Sequence, residues 1–235
     1  MVEFRAYNQV QREMMHLNKK TLIIFDMDGL LLDTERLYLQ FWRQSFQDWA
    51  IDIDMAEINK IVGIGFADLK ARLSAMVGGE EAFNRLREYR EKLFWDWVNQ
   101  NGLPIKTGAK EILYELKKRG IMTAIASSTM ESRAKKLLEI AGLDHSFDIE
   151  VFGDHVEKTK PAPDIYHLVL DLSKKDKAEC LVFEDSMNGI LAANAAGLDV
   201  IWIKDMIDLS LEKHLDLTDA YDTLSEAWPF VLQAL

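Results

Sequence analysis

Apolar residues recur along this chain in two periods that occupy different places. Runs such as Leu22-Ile23-Ile24-Phe25 and Leu181-Val182-Phe183 are too short for helices and show no alternation, the pattern of strands buried on both faces. Five such segments, 21–26, 122–127, 149–152, 180–184 and 199–203, are predicted strands. Between them the spacing turns helical: Ile112, Leu113 and Leu116 within 110–119, and Leu137, Leu138 and Ile140 within 132–141, with 164–172 and 186–196 continuing the alternation. Gly120 and Gly142 stand just past two of these stretches, where a helix readily ends on a left-handed residue. Strand–helix–strand repetition predicts an α/β fold, a Rossmann-like parallel sheet covered by helices.

One stretch breaks the alternation. From about Glu35 to Gly102 there is no strand pattern, only helical stripes. Leu37, Phe41, Trp42, Phe46 and Trp49 mark a first helix, and Ile58, Ile61 and Val62 suit a second. Phe66, Leu69, Leu73 and Met76 mark a third; Phe83, Leu86, Leu93, Phe94 and Trp97 mark a fourth, with Arg85, Glu88 and Lys92 opposite. Four helices between the first two strands predict a separate helical bundle inserted over 35–105. It would join a Rossmann-like core, 21–34 and 106–235, through hinges near 33–35 and 103–106. Residues 1–20 are left as an extension without an assigned role. Trp42, Trp49, Trp95 and Trp97, four of the six tryptophans, fall in the insertion, and helical spacing places most of them in its core.

Composition narrows the partners. A formal net charge of −11 weighs against nucleic acid and acidic membranes, which both select positive charge. An anionic small molecule stays open, provided that a metal ion and local donors reverse the field in the site. Cys180 is the only cysteine, so no intramolecular disulfide can form, and a cytoplasmic location is expected. Beside Leu181-Val182-Phe183 it reads as a small buried hydrophobe, not a nucleophile. No apolar stretch approaches the length of a membrane span. Glu3, Arg5, Arg12 and Glu13 interrupt the first eighteen residues, which therefore lack a secretory apolar core.

The candidate chemistry lies at strand ends. Asp26-Met27-Asp28-Gly29 follows the first apolar run directly, and in open α/β sheets ligands bind beyond the carboxyl ends of the strands. Two acids one residue apart could be a nucleophile beside a proton-transfer acid, a Mg²⁺ site, or both. Alone, the stretch is also an ordinary turn, while a calcium loop would need a third ligand before the glycine and a later glutamate that are absent. Ser127-Ser128-Thr129 ends the second strand with hydroxyls suited to a phosphate, although such residues by themselves read first as a helix N-cap. Glu184-Asp185-Ser186 ends the fourth strand with adjacent carboxylates that repel without a cation. In Lys158-Thr159-Lys160-Pro161-Ala162-Pro163-Asp164 the prolines stiffen the loop and direct Lys160.

Together these residues resemble the haloacid dehalogenase superfamily across nearly the whole sheet domain. Asp26-Met27-Asp28-Gly29 with Asp33-Thr34 is similar to its first motif, Ser127 to the second, Lys160 before Pro161 to the third, and Glu184-Asp185 to the fourth. The stretch from Phe183 to Ile190, with Ala192-Ala193 and Ala195-Ala196-Gly197, resembles the branch of β-phosphoglucomutase and small-metabolite phosphatases, whose helical cap domain the insertion over 35–105 resembles. The resemblance implies that Asp26 is the nucleophile and forms an aspartyl-phosphate, and that Asp28 is the general acid and base. It implies Mg²⁺ held by Asp26, the backbone carbonyl of Asp28 and Asp185, with Glu184 as a further ligand or a partner of Lys160. Ser127, Ser128 and Lys160 would bind the phosphoryl group. The expected function is a Mg²⁺-dependent phosphatase of a small phosphorylated metabolite, possible substrates including a sugar phosphate. The alternatives are a β-phosphoglucomutase-like mutase and a catalytically silent binding protein on the same fold. Counting from the motifs, a mutase's cap histidine and arginine fall at Tyr38 and, through Gly63, at Phe66; neither is cationic, which favours the phosphatase.

Overall fold

The computed structural model describes residues 19–54, 58, 66–210, 212 and 214–235. Its centre is a six-stranded parallel sheet, β1 (Leu22–Phe25), β2 (Met122–Ala126), β3 (Ile149–Val151), β4 (Cys180–Glu184), β5 (Asp199–Ile203) and β6 (Asp219–Tyr221), in the order β3-β2-β1-β4-β5-β6. All four residues of β1 and all five of β4 are buried, which is why their sequences are apolar without alternation. Their side chains still alternate in direction. Ile23, Phe25, Ile125, Leu181, Phe183 and Ile201 join one core, and Leu22, Ile24, Ala124, Cys180, Val182 and Val200 the other.

Helices cover both faces. On one lie α4 (Ala109–Lys118), α5 (Glu131–Ala141) and α8 (Leu224–Ala234); on the other lie α6 (Asp164–Ser173) and α7 (Met187–Ala196). Gly120 and Gly142 take positive φ as expected. The sixth strand was not among the five predicted. It is a three-residue edge strand of intermediate burial, Asp219-Ala220-Tyr221, and so has no apolar run to reveal it. Cys180 is fully buried, and burial pushes its thiol up to about 11, in keeping with a packing role.

Between β1 and β2 stand α1 (Thr34–Asp48), α2 (Phe66–Val77) and α3 (Glu80–Asn101). Leu39, Trp42, Phe46, Ile58, Leu73, Phe83 and Leu86 form a separate apolar cluster among them. The expected helix around Ile58, Ile61 and Val62 lies, except for Ile58, outside the described residues. The tryptophans divide differently from expectation. Trp42 enters this cluster, Trp49 is 39% exposed, and Trp95 and Trp97 pack partly buried against the core of the sheet. α1 and α3 therefore seat the insertion on the sheet through Leu37, Phe41, Phe94 and Val98.

The two chain crossings run side by side. Leu32 and Ile105 form an antiparallel bridge, Asp33 N donates to Pro104 O (2.9 Å), and Lys106 N donates to Leu31 O (2.9 Å).

Candidate active site

Register brings the candidate residues to one edge. Phe25 pairs with Ile125 on one side and Phe183 on the other, so Asp26, Ser127 and Glu184 emerge together from three adjacent strands. The strand order diverges to either side of β1, which opens a crevice there.

Lys160 ties the three ends together. Its Nζ donates to Asp26 Oδ1 (2.6 Å), Glu184 Oε1 (2.5 Å) and Ala126 O (2.7 Å), using all three ammonium protons while nearly fully buried. Burial alone would lower this lysine's pKa; Asp26 and Glu184 outweigh it and hold it well above the ordinary value.

Glu184 is saturated from several directions. Oε1 also accepts from the Tyr166 hydroxyl (2.9 Å), and Oε2 accepts from the backbone N–H of Asp185 (3.2 Å) and the Ser186 hydroxyl (3.2 Å). A side chain at Gly189, in the first turn of α7, would collide with this carboxylate.

Asp26 and Asp185 are the unsettled acids. Burial pushes Asp26 up to about 8, against the pull of Lys160 and with further repulsion from Glu184 and Asp28. Burial also raises Asp185 well above the carboxylate range, reinforced by Asp26, Glu184, Glu35 and Asp205. Asp185 Oδ1 is buried with no hydrogen-bond partner. Asp26, Glu184 and Asp185 each offer an oxygen, all within 4.8 Å of one another. Three clustered carboxylates, two of them bonded to one ammonium and the third with an orphaned oxygen, form a donor set that fits a hard divalent cation. Gly29, at φ +87°, keeps that space open, since a Cβ there would strike Asp185 Oδ2.

Asp28 stands apart from the acidic cluster. It is half-buried, and its oxygens accept from the Thr34 hydroxyl (2.6 Å) and the Thr129 hydroxyl (2.7 Å). Its carboxylate is thus fixed in direction beside Asp26 rather than pooled with the three other acids.

Ser127 is buried and its hydroxyl accepts from Thr129 N (3.1 Å). Ser128 is exposed and makes none of the hydrogen bonds that organise the site. The N-cap reading of this hydroxyl cluster does not hold. Met130 is the cap residue of α5, without a side-chain cap bond, and Glu131 N is satisfied by Asp154 Oδ1 (2.8 Å).

The bonds of Thr34 and Thr129 to Asp28, of Tyr166 to Glu184, and the reach of Arg133 are not visible in the sequence pattern. Thr34 and Thr129 sit inside quoted stretches but do their work through a partner distant in the chain or in the turn. Arg133, on α5, reaches across to the insertion: it donates to the Tyr38 hydroxyl (3.0 Å) and to Glu91 Oε2 (2.6 Å), with its guanidinium over Phe94 (5.0 Å) and Trp95 (5.1 Å). Burial, with Asp28 next in weight, raises the Tyr38 phenol above its usual range, so it faces the site uncharged. Nothing in an amphipathic helix pattern distinguishes such an arginine from a solvated one.

The haloacid dehalogenase-like hydrolase family matches residues 20–197. The phosphorylated carbohydrates phosphatase of Thermotoga maritima is 33% identical over 184 residues, 77% of this chain and 83% of that protein. The fructose-1-phosphate phosphatase YqaB of Escherichia coli is 29% identical over 199 residues, 77% of this chain and 95% of that protein. In fold, the chain is similar to β-phosphoglucomutase from Clostridium difficile, with a TM-score of 0.72 at 20% identity over 92% of this chain and 96% of that one. The chain belongs to the haloacid dehalogenase-like hydrolase family. It is an enzyme, a phosphoric monoester hydrolase of that type. No helix among the described residues is long and apolar enough to cross a membrane.

Proposed function

We propose that this protein is a Mg²⁺-dependent phosphatase that hydrolyses a small phosphorylated metabolite of the sugar-phosphate class through an aspartyl-phosphate on Asp26. The observation that carries the reading is the pairing of Asp26, clamped by Lys160 at Oδ1, with an adjacent acid, Asp28, aimed separately by two hydroxyls. A nucleophile and a proton carrier need that division of labour.

Asp26 attacks phosphorus, and the bond to the leaving oxygen breaks as Asp28 gives that oxygen its proton. Water then attacks the phosphoryl group on Asp26 while Asp28 takes a proton back, which releases phosphate and restores both acids. Ser127 and Lys160, the latter by giving up one of its protein acceptors, hold phosphoryl oxygens and stabilise charge at the transition state, with Ser128 at the outer edge of the phosphate loop. Asp26, Asp185 and the backbone carbonyl of Asp28 are the residues to hold Mg²⁺, with Glu184 beside them orienting Lys160. Bound there, the ion offsets the repulsion between a carboxylate and an anionic phosphoryl group. The helical segment 35–105 acts as a cap over the crevice, and its residues nearest Asp28, among them Tyr38, face the leaving group.

The names of the relatives, acting on phosphorylated carbohydrates and on fructose 1-phosphate, support a sugar phosphate as substrate. A mutase would instead return the phosphoryl group to a sugar. The uncharged phenol of Tyr38 supports hydrolysis, whereas the side chain of Phe66 lies outside the described ones. The test is a panel of phosphorylated metabolites with Mg²⁺, scored by kcat/KM for phosphate release, beside β-glucose 1-phosphate primed with glucose 1,6-bisphosphate and coupled to glucose 6-phosphate dehydrogenase. Release of phosphate from a preferred monophosphate is expected. Rapid isomerisation with negligible phosphate release would replace the phosphatase with a mutase.

A further inference from the structure

Asp205 lies just beyond β5, outside all four motifs, and its two oxygens have opposite surroundings. Oδ1 accepts from Arg36 (2.6 Å) and from Lys106 (2.6 Å), and its side chain is only 3% exposed. Arg36 is in the first turn of α1 and also pairs with Asp33 (2.7 Å); Lys106 is on the returning chain crossing. One oxygen therefore grips both connections between the sheet and the insertion. Oδ2 is buried with no hydrogen-bond partner. It stands 3.3 Å from where a Cβ of Gly29 would be, on the same small space that Asp185 Oδ2 fills. A second orphaned oxygen, Asp185 Oδ1, belongs to the carboxylate facing it. Two buried acids with unanswered acceptors are costly side by side, unless something between them carries positive charge or hydrogen.

We propose that Asp205 is a positioning residue that joins the cap crossings to the cation site: Oδ1 fixes it to Arg36 and Lys106, and Oδ2 accepts a hydrogen bond from the hydration shell of a cation held at Asp185. The inference rests on the metal reading given above. Such outer partners of a metal ligand typically change affinity about ten- to a hundredfold when removed. The same carboxylate makes the position of the cap felt at the metal, because any movement of the crossings shifts a residue that reaches toward both.

Asp205→Asn tests this sharply. Arg36 and Lys106 both donate, so the carbonyl of the new amide must face them and its NH₂ must face Asp185. The NH₂ can donate to the Asp185 carboxylate but cannot accept from metal-bound water. The metal-free variant should therefore fold at least as stably as the wild type, while its Mg²⁺ affinity, read by calorimetry without substrate, falls about ten- to a hundredfold. A residue with a merely structural role would give the reverse pattern, lower stability with unchanged affinity. Should Asp205→Asn fail to fold, Lys106→Met keeps the carboxylate but loosens it, and a weaker Mg²⁺ affinity is again expected. Wild type that binds no Mg²⁺ would overturn the metal reading and this one together. Wild type that binds it, with Asp185→Asn losing it but Asp205→Asn or Lys106→Met binding as tightly as wild type, would overturn the role of Asp205 alone.

Discussion

Buried cations at the strand ends and in the insertion are satisfied in opposite ways. Lys160 spends every proton on an oxygen, and its three acceptors come from the ends of three strands. Arg90, equally buried in α3, bonds Glu91 (2.8 Å) but leaves Nε and one terminal nitrogen without a hydrogen-bond partner. Its guanidinium instead lies over the rings of Tyr38 (4.9 Å) and Trp42 (5.1 Å), and burial lowers its pKa. Directional bonds to a rigid sheet fix geometry to a fraction of an ångström, whereas ring contacts tolerate sliding. The cluster at the strand ends is thus held in fixed geometry, while the insertion offers more adaptable contacts.

The largest effect should come from the core. Asp26→Asn keeps the shape and removes the attacking oxygen anion, so turnover of p-nitrophenyl phosphate should fall roughly 10⁴-fold or more, with an unchanged far-ultraviolet circular dichroism spectrum. Appreciable turnover in that variant would remove the covalent route. Asp28→Asn comes next, and here the substrate matters. An alkyl phosphate needs its leaving oxygen protonated and should lose about 10²–10⁴-fold; p-nitrophenolate leaves unaided and should lose much less. Equal losses on the two substrates would argue against leaving-group protonation as the main work of Asp28.

The same contrast explains what could be read from the chain. Apolar runs ending in Asp26, Ser127 and Glu184 mark strands and site at once, because a parallel sheet aligns the ends of adjacent strands. Three of the four stripes of the insertion were legible as helices, the stripe at Ile58, Ile61 and Val62 lying mostly outside the described residues, but not which side of each would face the sheet: Trp95 and Trp97 look like bundle core and pack on the sheet core. β6 and α8 escaped, the first because its edge residues are neither apolar nor buried. Thr34, Thr129 and Arg133 escaped for a different reason. Their meaning lies in partners, Asp28, Tyr38 and Glu91, that only the folded chain selects.

Arg133 measures how much the cap wall contributes. Arg133→Met retains length and apolar packing but cuts the bonds to Tyr38 and Glu91, loosening the seat of α1 and α3 on the core. About a tenfold loss of kcat/KM, roughly 1.4 kcal/mol and near the low end for a single charged hydrogen bond, is expected for the preferred metabolite, and little for p-nitrophenyl phosphate. Equal losses on both would move Arg133 from the wall to the core machinery.

The smallest effect is on stability, and it again separates the regions. In the metal-free protein, burial first, then its acidic neighbours, lift Asp26 from 3.8 to about 8 and raise Asp185 in the same direction. The folded chain therefore keeps protons that the unfolded chain has already released. Stability from these groups is fully present below about pH 4 and is lost as pH rises through about 8. The shifted tyrosines of the insertion, Tyr38 and Tyr89, move upward from 10, away from that window. Melting temperatures in a chelator from pH 5 to 9 should thus fall more steeply for wild type than for Asp26→Asn, which has one titrating acid fewer. Mg²⁺ should flatten the wild-type slope, since a cation favours the ionised acids that burial disfavours. Parallel wild-type and variant slopes would mean that Lys160 keeps Asp26 ionised without help, and that the core tolerates its acids as readily as the cap tolerates Arg90.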